Sequence, residues 1–241
     1  MANEFSLLST INPKDKSTWE DKIFLTFDIE WAHDTIISDL MEIISLYSIP
    51  VTFYATHQTD VFDETIKSDE KIEIGIHPNF NPLFDNSGSK LDLRGICSNL
   101  KDIFPNATSF RSHSLVFGSP LQPILRELSI SHDSSVMIPF QENNFSISPW
   151  VMWDRLIRVP HFFCDYVTAS SSDEGFSSLY KRPGLKVFDF HPIHVFLNTE
   201  NVGRYERTRL IHHDPRKLLG ERYTGYGTRN LLIELLESSK K

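Results

Sequence analysis

Cysteine is almost absent from this chain of 241 residues. Its only two, Cys97 and Cys164, lack any metal-type pair spacing, which argues against a disulfide framework. Long apolar runs are missing as well. None approaches the roughly eighteen residues that a membrane-spanning helix needs. The opening Met-Ala-Asn-Glu-Phe-Ser-Leu-Leu-Ser-Thr lacks the basic segment and apolar stretch of a signal peptide. A cytoplasmic protein without a membrane span is therefore expected. Positive charge is in deficit: 24 Lys and Arg stand against 32 Asp and Glu, for a net charge of −8. Phosphates of nucleic acid would be repelled, and so would an anionic membrane surface. No internal repeat or low-complexity linker interrupts the chain, so residues 1–241 read as one domain with a polar lead-in over residues 1–21. The oligomeric state stays open.

What is present is a recurring pattern: a short apolar run, then an ionisable residue where it stops. Ile23-Phe24-Leu25-Thr26-Phe27 runs into Asp28 and Glu30, and Ile72-Glu73-Ile74-Gly75-Ile76 into His77. Ser109-Phe110 leads to Arg111 and His113, Ile130 to His132-Asp133, and Leu156-Ile157-Arg158-Val159 to His161. Lys186-Val187-Phe188-Asp189-Phe190 ends in His191. Such runs, too short for a membrane and without helical periodicity, read as strands buried on both faces. Between them, Asp34–Tyr47 carries Ile36, Ile37, Leu40, Ile43, Ile44 and Tyr47 at helical spacing. Leu91–Ile103, Pro120–Leu128, Ser170–Tyr180 (opening on Ser171-Ser172-Asp173-Glu174) and Leu231–Leu236 are expected helices, and Val51–Ala55 a further strand. Residues 134–155 read as a long loop over the site, and 198–225 as a charged flap. Alternating strands and helices imply a mainly parallel sheet of about seven strands. The 18 Phe point to an aromatic interior or an apolar-walled cleft.

Parallel barrels place their active groups at the carboxyl ends of their strands. A carboxylate pair there is costly unless something uses the charge, and Glu30 with His77 and their neighbours reads as a divalent metal site. The plainer alternative is that His77 caps a strand end and Glu30 forms an ion pair.

Thr26-Phe27-Asp28-Ile29-Glu30 resembles the first motif of the polysaccharide deacetylases, the NodB-homology group of carbohydrate esterases. The resemblance implies a distorted (β/α)7 barrel, related to the TIM barrel, that removes acetyl groups from sugars with a bound divalent metal, zinc first, with cobalt or nickel as alternatives. It implies that Asp28 is the general base and Glu30 a metal ligand. The family's His-x-x-x-His motif is similar to His77-Pro78-Asn79-Phe80-Asn81, with Asn81 in place of the second His. Asn81 is a poor zinc ligand, and His113, two residues beyond Arg111 on an extended segment, is the preferred third one. Arg111-Ser112-His113-Ser114 resembles the motif whose Arg holds the base and whose backbone N–H meets the oxyanion; Ser112, His113 and Ser114 are the candidate donors. His132-Asp133-Ser134-Ser135 is similar to a Tyr-Asp-Ser-Ser segment, which makes Asp133 a candidate substrate contact. Phe188-Asp189-Phe190-His191-Pro192 places His191 as the general acid, with His194 as its competitor.

His161 is a candidate cleft residue, although a core or surface role is commoner for such a His. Trp31, Trp150 and Trp153 could form a sugar-stacking wall, or simply pack. His212-His213-Asp214 resembles a ligand cluster in a charged, surface-like region. Arg204, Arg207, Arg209, Arg216, Arg222 and Arg229 form a local excess of positive charge. They either pair with Glu200, Glu206 and Glu221 or recognise a phosphate or carboxylate on the substrate. The expected activity is deacetylation of a nucleotide- or lipid-linked N-acetylated sugar, a precursor of a surface polysaccharide such as O-antigen. Hydrolysis of another C–N amide and an inactive carbohydrate-binding relative are the alternatives.

Overall fold

The computed structural model describes residues 4–63, 66, 68–84, 92–138, 146–168 and 175–240. Ten strands among them form one sheet: β1 (Glu4–Phe5), β2 (Lys22–Asp28), β3 (Val51–Ala55), β4 (Ile72–Ile76), β5 (Ser109–Phe110), β6 (His132–Asp133), β7 (Trp150–Val151), β8 (Ile157–Arg158), β9 (Phe163–Cys164) and β10 (Lys186–Phe190). Their order is β7-β8-β6-β5-β4-β3-β2-β10-β9, with β1 alongside β2. Every pairing is parallel except that of β7 with β8.

The two-residue repeat of a strand sends alternate side chains to opposite faces, and here both faces are buried. Ile23, Leu25 and Phe27 of β2, Val51 and Phe53 of β3, and Phe188 and Phe190 of β10 enter the larger core under the helices. Phe24, Tyr54 and Val187 enter a smaller core with Leu8, Ile11 and Trp19. Thr26, Asp28 and Asp189 share the face of this second set, so β2 and β10 start apolar inside and end polar.

A flat sheet could not bring these ends together. Arg111, just past β5, and Asp189 on β10 stand four strand steps apart, about 19 Å across a flat sheet, yet the two side chains are hydrogen-bonded. The sheet must curl. Its two limbs also meet, because β8 and β9, far apart in strand order, are joined only by residues 159–162. This is the distorted parallel barrel that the motifs implied.

The outer layer comprises α1 (Asp34–Ser45), α2 (Leu93–Ile103), α3 (Leu121–Glu127), α4 (Asp165–Thr168), α5 (Phe176–Tyr180), α6 (Pro192–Leu197), α7 (Val202–Thr208), α8 (Pro215–Gly220) and α9 (Thr228–Glu237). α6 packs on both α1 and α9. No helix among the described residues is long and apolar enough to cross a membrane.

Three expectations need correction. The lead-in is built into the fold, since β1 pairs with β2 and Leu8, Ile11 and Trp19 fill the inner core. The loop expected at 134–155 contains β7, an antiparallel partner for β8. The flap expected at 198–225 holds α7 and α8, each started by a capping side chain, Asn201 and Asp214. Leu91 and the expected helix start Ser171-Ser172-Asp173-Glu174 lie outside the described residues.

Candidate active site

Asp28 reaches the barrel interior as the last inward residue of β2. Glu30, two residues on, adopts a left-handed backbone with φ 49°, and its carbonyl accepts a hydrogen bond from the Thr56 hydroxyl. A non-glycine residue rarely takes that conformation, and functional sites are where it collects. His77, directly after β4, is buried with no hydrogen-bond partner on either ring nitrogen. Its Nε2 lies 3.4 Å from Glu30 Oε1 and 3.7 Å from Asp28 Oδ2. His113 Nδ1 lies 3.1 Å from Glu30 Oε1 and 2.9 Å from Oε2.

Ligand atoms of Glu30, His77 and His113 all fall within 4.8 Å of one another. Two imidazoles and a carboxylate form a donor set of catalytic zinc, whose bonds of about 2.1 Å put tetrahedral ligands roughly 3.4 Å apart. A buried imidazole with two orphaned nitrogens is costly unless something binds it. The residues present therefore fit a divalent metal. Burial works against the Glu30 charge, but the His113 and His77 imidazoles outweigh it and hold its pKa well below the carboxylate range. Asn81 is engaged elsewhere, its amide donating to Ser114 Oγ at 3.1 Å.

Arg111 is fully buried. It donates to Asp28 at 2.8 Å, to Thr26 Oγ1 at 3.0 Å, to Ser134 Oγ at 2.9 Å and to Asp189. Its guanidinium stacks 4.4 Å from the Tyr54 ring centroid. That ring has room because residue 75 is glycine: a Cβ there would lie 2.5 Å from Ser109 Oγ, 2.8 Å from the Ser109 carbonyl oxygen and 2.9 Å from Tyr54 Cδ1. Burial pushes the Asp189 carboxyl up to about 7, against the pull of Arg111.

His191 also approaches Glu30, its Nε2 3.8 Å from Oε1. Its Nδ1 lies 2.7 Å from Asp165 Oδ1, and its backbone N–H donates to Asp165 Oδ2 at 2.8 Å. Burial disfavours the imidazolium, but Asp165 foremost and then Asp189 and Asp28 raise its pKa well above the ordinary value. Asp165 and Asp189 went unnoticed in the sequence. Asp165 follows the apolar stretch Phe162-Phe163-Cys164, the same strand-end signal as elsewhere, and Asp189 precedes His191 by one strand repeat.

Several expected contacts are used inside the fold. Asp133, expected to touch substrate, is fully buried, with Arg158 on one oxygen and the Ser135 N–H on the other at 2.8 Å. Ser112 donates its N–H to Ser135 Oγ at 2.9 Å and its hydroxyl to the Val116 carbonyl at 2.6 Å. The His113 N–H donates to the Pro78 carbonyl at 3.0 Å. Of the three amides expected at the oxyanion, Ser112 and His113 are thus occupied, which leaves Ser114, itself left-handed at φ 58°. His161 is buried with Nδ1 3.2 Å from the Ser134 carbonyl oxygen, and burial, then Arg111, pull its pKa well down. His194 pairs with Thr199 Oγ1 at 3.1 Å, and burial lowers it to about 4, so it is a poor competitor for the acid role. His212 contacts Thr208 Oγ1 at 3.0 Å and Asp214 caps α8, so that trio is no ligand cluster. Trp31, 56% exposed, meets the His113 ring edge-on at 5.2 Å, while Trp150 and Trp153 are also exposed, so none of the three is core packing.

A profile of the WbmS-like family, described as polysaccharide deacetylases, matches residues 25–209. The chain belongs to this family. Among solved structures, a Bordetella bronchiseptica protein described as an inferred polysaccharide deacetylase involved in O-antigen biosynthesis is 35% identical, with 97% of each chain covered and a TM-score of 0.90. A family 4 carbohydrate esterase from Streptomyces lividans, in complex with acetate, is 11% identical over 89% of this chain and 86% of its own, with a TM-score of 0.46. A Mycobacterium smegmatis protein described as an inferred polysaccharide deacetylase is 15% identical over 90% of each chain, with a TM-score of 0.45. At that overlap the last two add nothing to the assignment. No curated protein sequence matches this chain.

Proposed function

We propose that the protein is a metal-dependent deacetylase, acting as a single catalytic domain on an N-acetylated sugar that is an intracellular precursor of a surface polysaccharide such as O-antigen. The observation that carries this reading is the buried His77, its two nitrogens orphaned, set between the carboxylates of Glu30 and Asp28. The Bordetella relative's description supports the choice of pathway. Glu30, His77 and His113 would hold the cation, with zinc the first choice and cobalt or nickel behind it. When bound, it supplies Lewis acidity toward an acyl oxygen and toward a water.

Asp28, oriented by Arg111, accepts a proton from the water that attacks the acyl carbon. The Ser114 N–H is the amide left to meet the oxygen on which charge develops. His191, kept protonated by Asp165, gives its Nε2 proton to the sugar nitrogen as the C–N bond breaks and acetate leaves.

Acetate release from UDP-N-acetylglucosamine and from N-acetylated oligosaccharides tests the reading, using protein as purified, stripped with a chelator, and reloaded with zinc, cobalt or nickel. Release should vanish on stripping and return on reloading. Release that survives full metal removal, or none from any of these sugars at stoichiometric metal, overturns it.

A further inference from the structure

The segment between α6 and α9 sends one aromatic ring back toward the site. Tyr205 of α7 packs 4.8 Å from the His194 ring, 4.7 Å from His212 and 6.0 Å from Tyr166. His194 in turn lies 5.7 Å from His191. Tyr205 is therefore two ring contacts away from the group proposed to protonate the leaving nitrogen. Burial first, then the charge of Glu30, raises the Tyr205 pKa, while Arg209 opposes both. Both the site carboxylate and this arginine are thus within electrostatic reach of its hydroxyl.

Arg209 follows Tyr205 by four residues, and its backbone continues the helix at φ −49° and ψ −39°. Residues four apart share a helix face, so Arg209 lies one turn, about 6 Å, farther along the face that Tyr205 turns to the site. Its side chain is 71% exposed, and the partner nearest to it is Glu206 at 3.8 Å. An exposed contact of that length contributes little. The neighbouring arginines are placed differently. Arg204 is bound to Glu200 and to the Glu221 carbonyl, and Arg222 and Arg229 are bound to Asp39. Arg207 is exposed but two positions from Tyr205, on another face.

We infer that Tyr205 and Arg209 form an outer subsite for an anionic group carried by the sugar substrate, a phosphate or a carboxylate about one ring beyond the acetyl group. The inference rests on the deacetylase reading and deepens it. Tyr205 offers a half-buried aromatic wall for the sugar, and Arg209 a planar, weakly engaged guanidinium suited to a two-oxygen anion. A neutral sugar gains nothing from such an exposed and weakly engaged cation.

The test is binding, measured by calorimetry on metal-loaded protein in an Asp28→Asn background that suppresses turnover. Three probes are compared: UDP-N-acetylglucosamine, N-acetylglucosaminuronate and the neutral methyl N-acetylglucosaminide. At least one anionic probe should bind more tightly than the neutral one, and which of the two does so separates a phosphate source from a carboxylate source. Arg209→Gln should cut that preference about tenfold, and Arg207→Gln should leave it intact. A preference that is absent at the start, unchanged by Arg209→Gln, or lowered equally by Arg207→Gln overturns the subsite. Failure of the deacetylase reading shows separately, as absence of acetate release from the unmutated enzyme.

Discussion

Asp165 holds His191 by two points at once, accepting from its backbone N–H at 2.8 Å and facing its Nδ1 at 2.7 Å. The ring is thereby fixed in one orientation, with Nε2 directed at Glu30. One carboxylate sets both the position and the charge of the proposed acid.

The sign of the resulting pH effect follows. A general acid works while protonated, so activity falls as pH rises through its pKa. Asp165 raises the His191 pKa above the ordinary value against the effect of burial. Asp165→Asn removes the raising charge and keeps the size, so the alkaline limb of kcat against pH should move to lower pH by about one unit or more. Metal content should not change. An alkaline limb that stays in place would falsify the assignment of His191 as the acid set by Asp165.

The ligand set makes its own prediction. Glu30→Gln, His77→Ala and His113→Ala should each lower bound metal by orders of magnitude, because each removes one of three donors. Asn81→Ala, whose amide is bonded to Ser114, should keep it. Metal analysis after dialysis at fixed free zinc gives the answer. Full occupancy in His113→Ala combined with loss in Asn81→Ala would exchange the two roles.

Much of this site was readable because barrel strands stop where chemistry starts. Asp28, His77, Arg111 and His191 each end an apolar run, and that contrast survives in the bare sequence. Asp189 did not stand out because it lies inside such a run, although a two-residue step back from His191 puts it on the same face. Asp133 misled for a different reason: the likeness of His132-Asp133-Ser134-Ser135 to a Tyr-Asp-Ser-Ser segment points to substrate, yet Arg158 binds its carboxylate inside the fold. The charged stretch 198–225 read as a flap because of its charges, glycines and prolines. Its capping residues, Asn201 before α7 and Asp214 followed by Pro215 before α8, carried the correct signal.

Gly75→Ala tests how the arginine is seated. The added methyl would meet the Ser109 backbone at 2.8 Å and the Tyr54 ring at 2.9 Å, and neither can withdraw without disturbing the ring under Arg111. Overpacking of this kind costs about 1–3 kcal/mol. Urea unfolding should show that loss, and turnover should fall even at pH values where the variant is fully folded. A variant as stable and as active as the parent would mean that Tyr54 does not seat Arg111.

Asp189 and Asp28 share the Arg111 guanidinium, which leaves two buried carboxylates facing one cation. With its pKa raised from 3.8 to about 7 in the folded state, chiefly by burial, Asp189 binds a proton on folding between roughly pH 4 and pH 7. The native state then holds more protons than the unfolded chain in this window, so this group's contribution to stability declines as pH rises through it. Asp189→Asn is uncharged at every pH and lacks that decline. The variant should compare worst with the parent near pH 5, where Asp189 is protonated and already well accommodated, and should gain on it by pH 8. Urea unfolding of both proteins at the two pH values measures the difference of differences. An equal difference at both, or a variant that loses further ground at pH 8, would show that Arg111 keeps Asp189 ionised and that attraction to the guanidinium, not burial, governs this carboxylate.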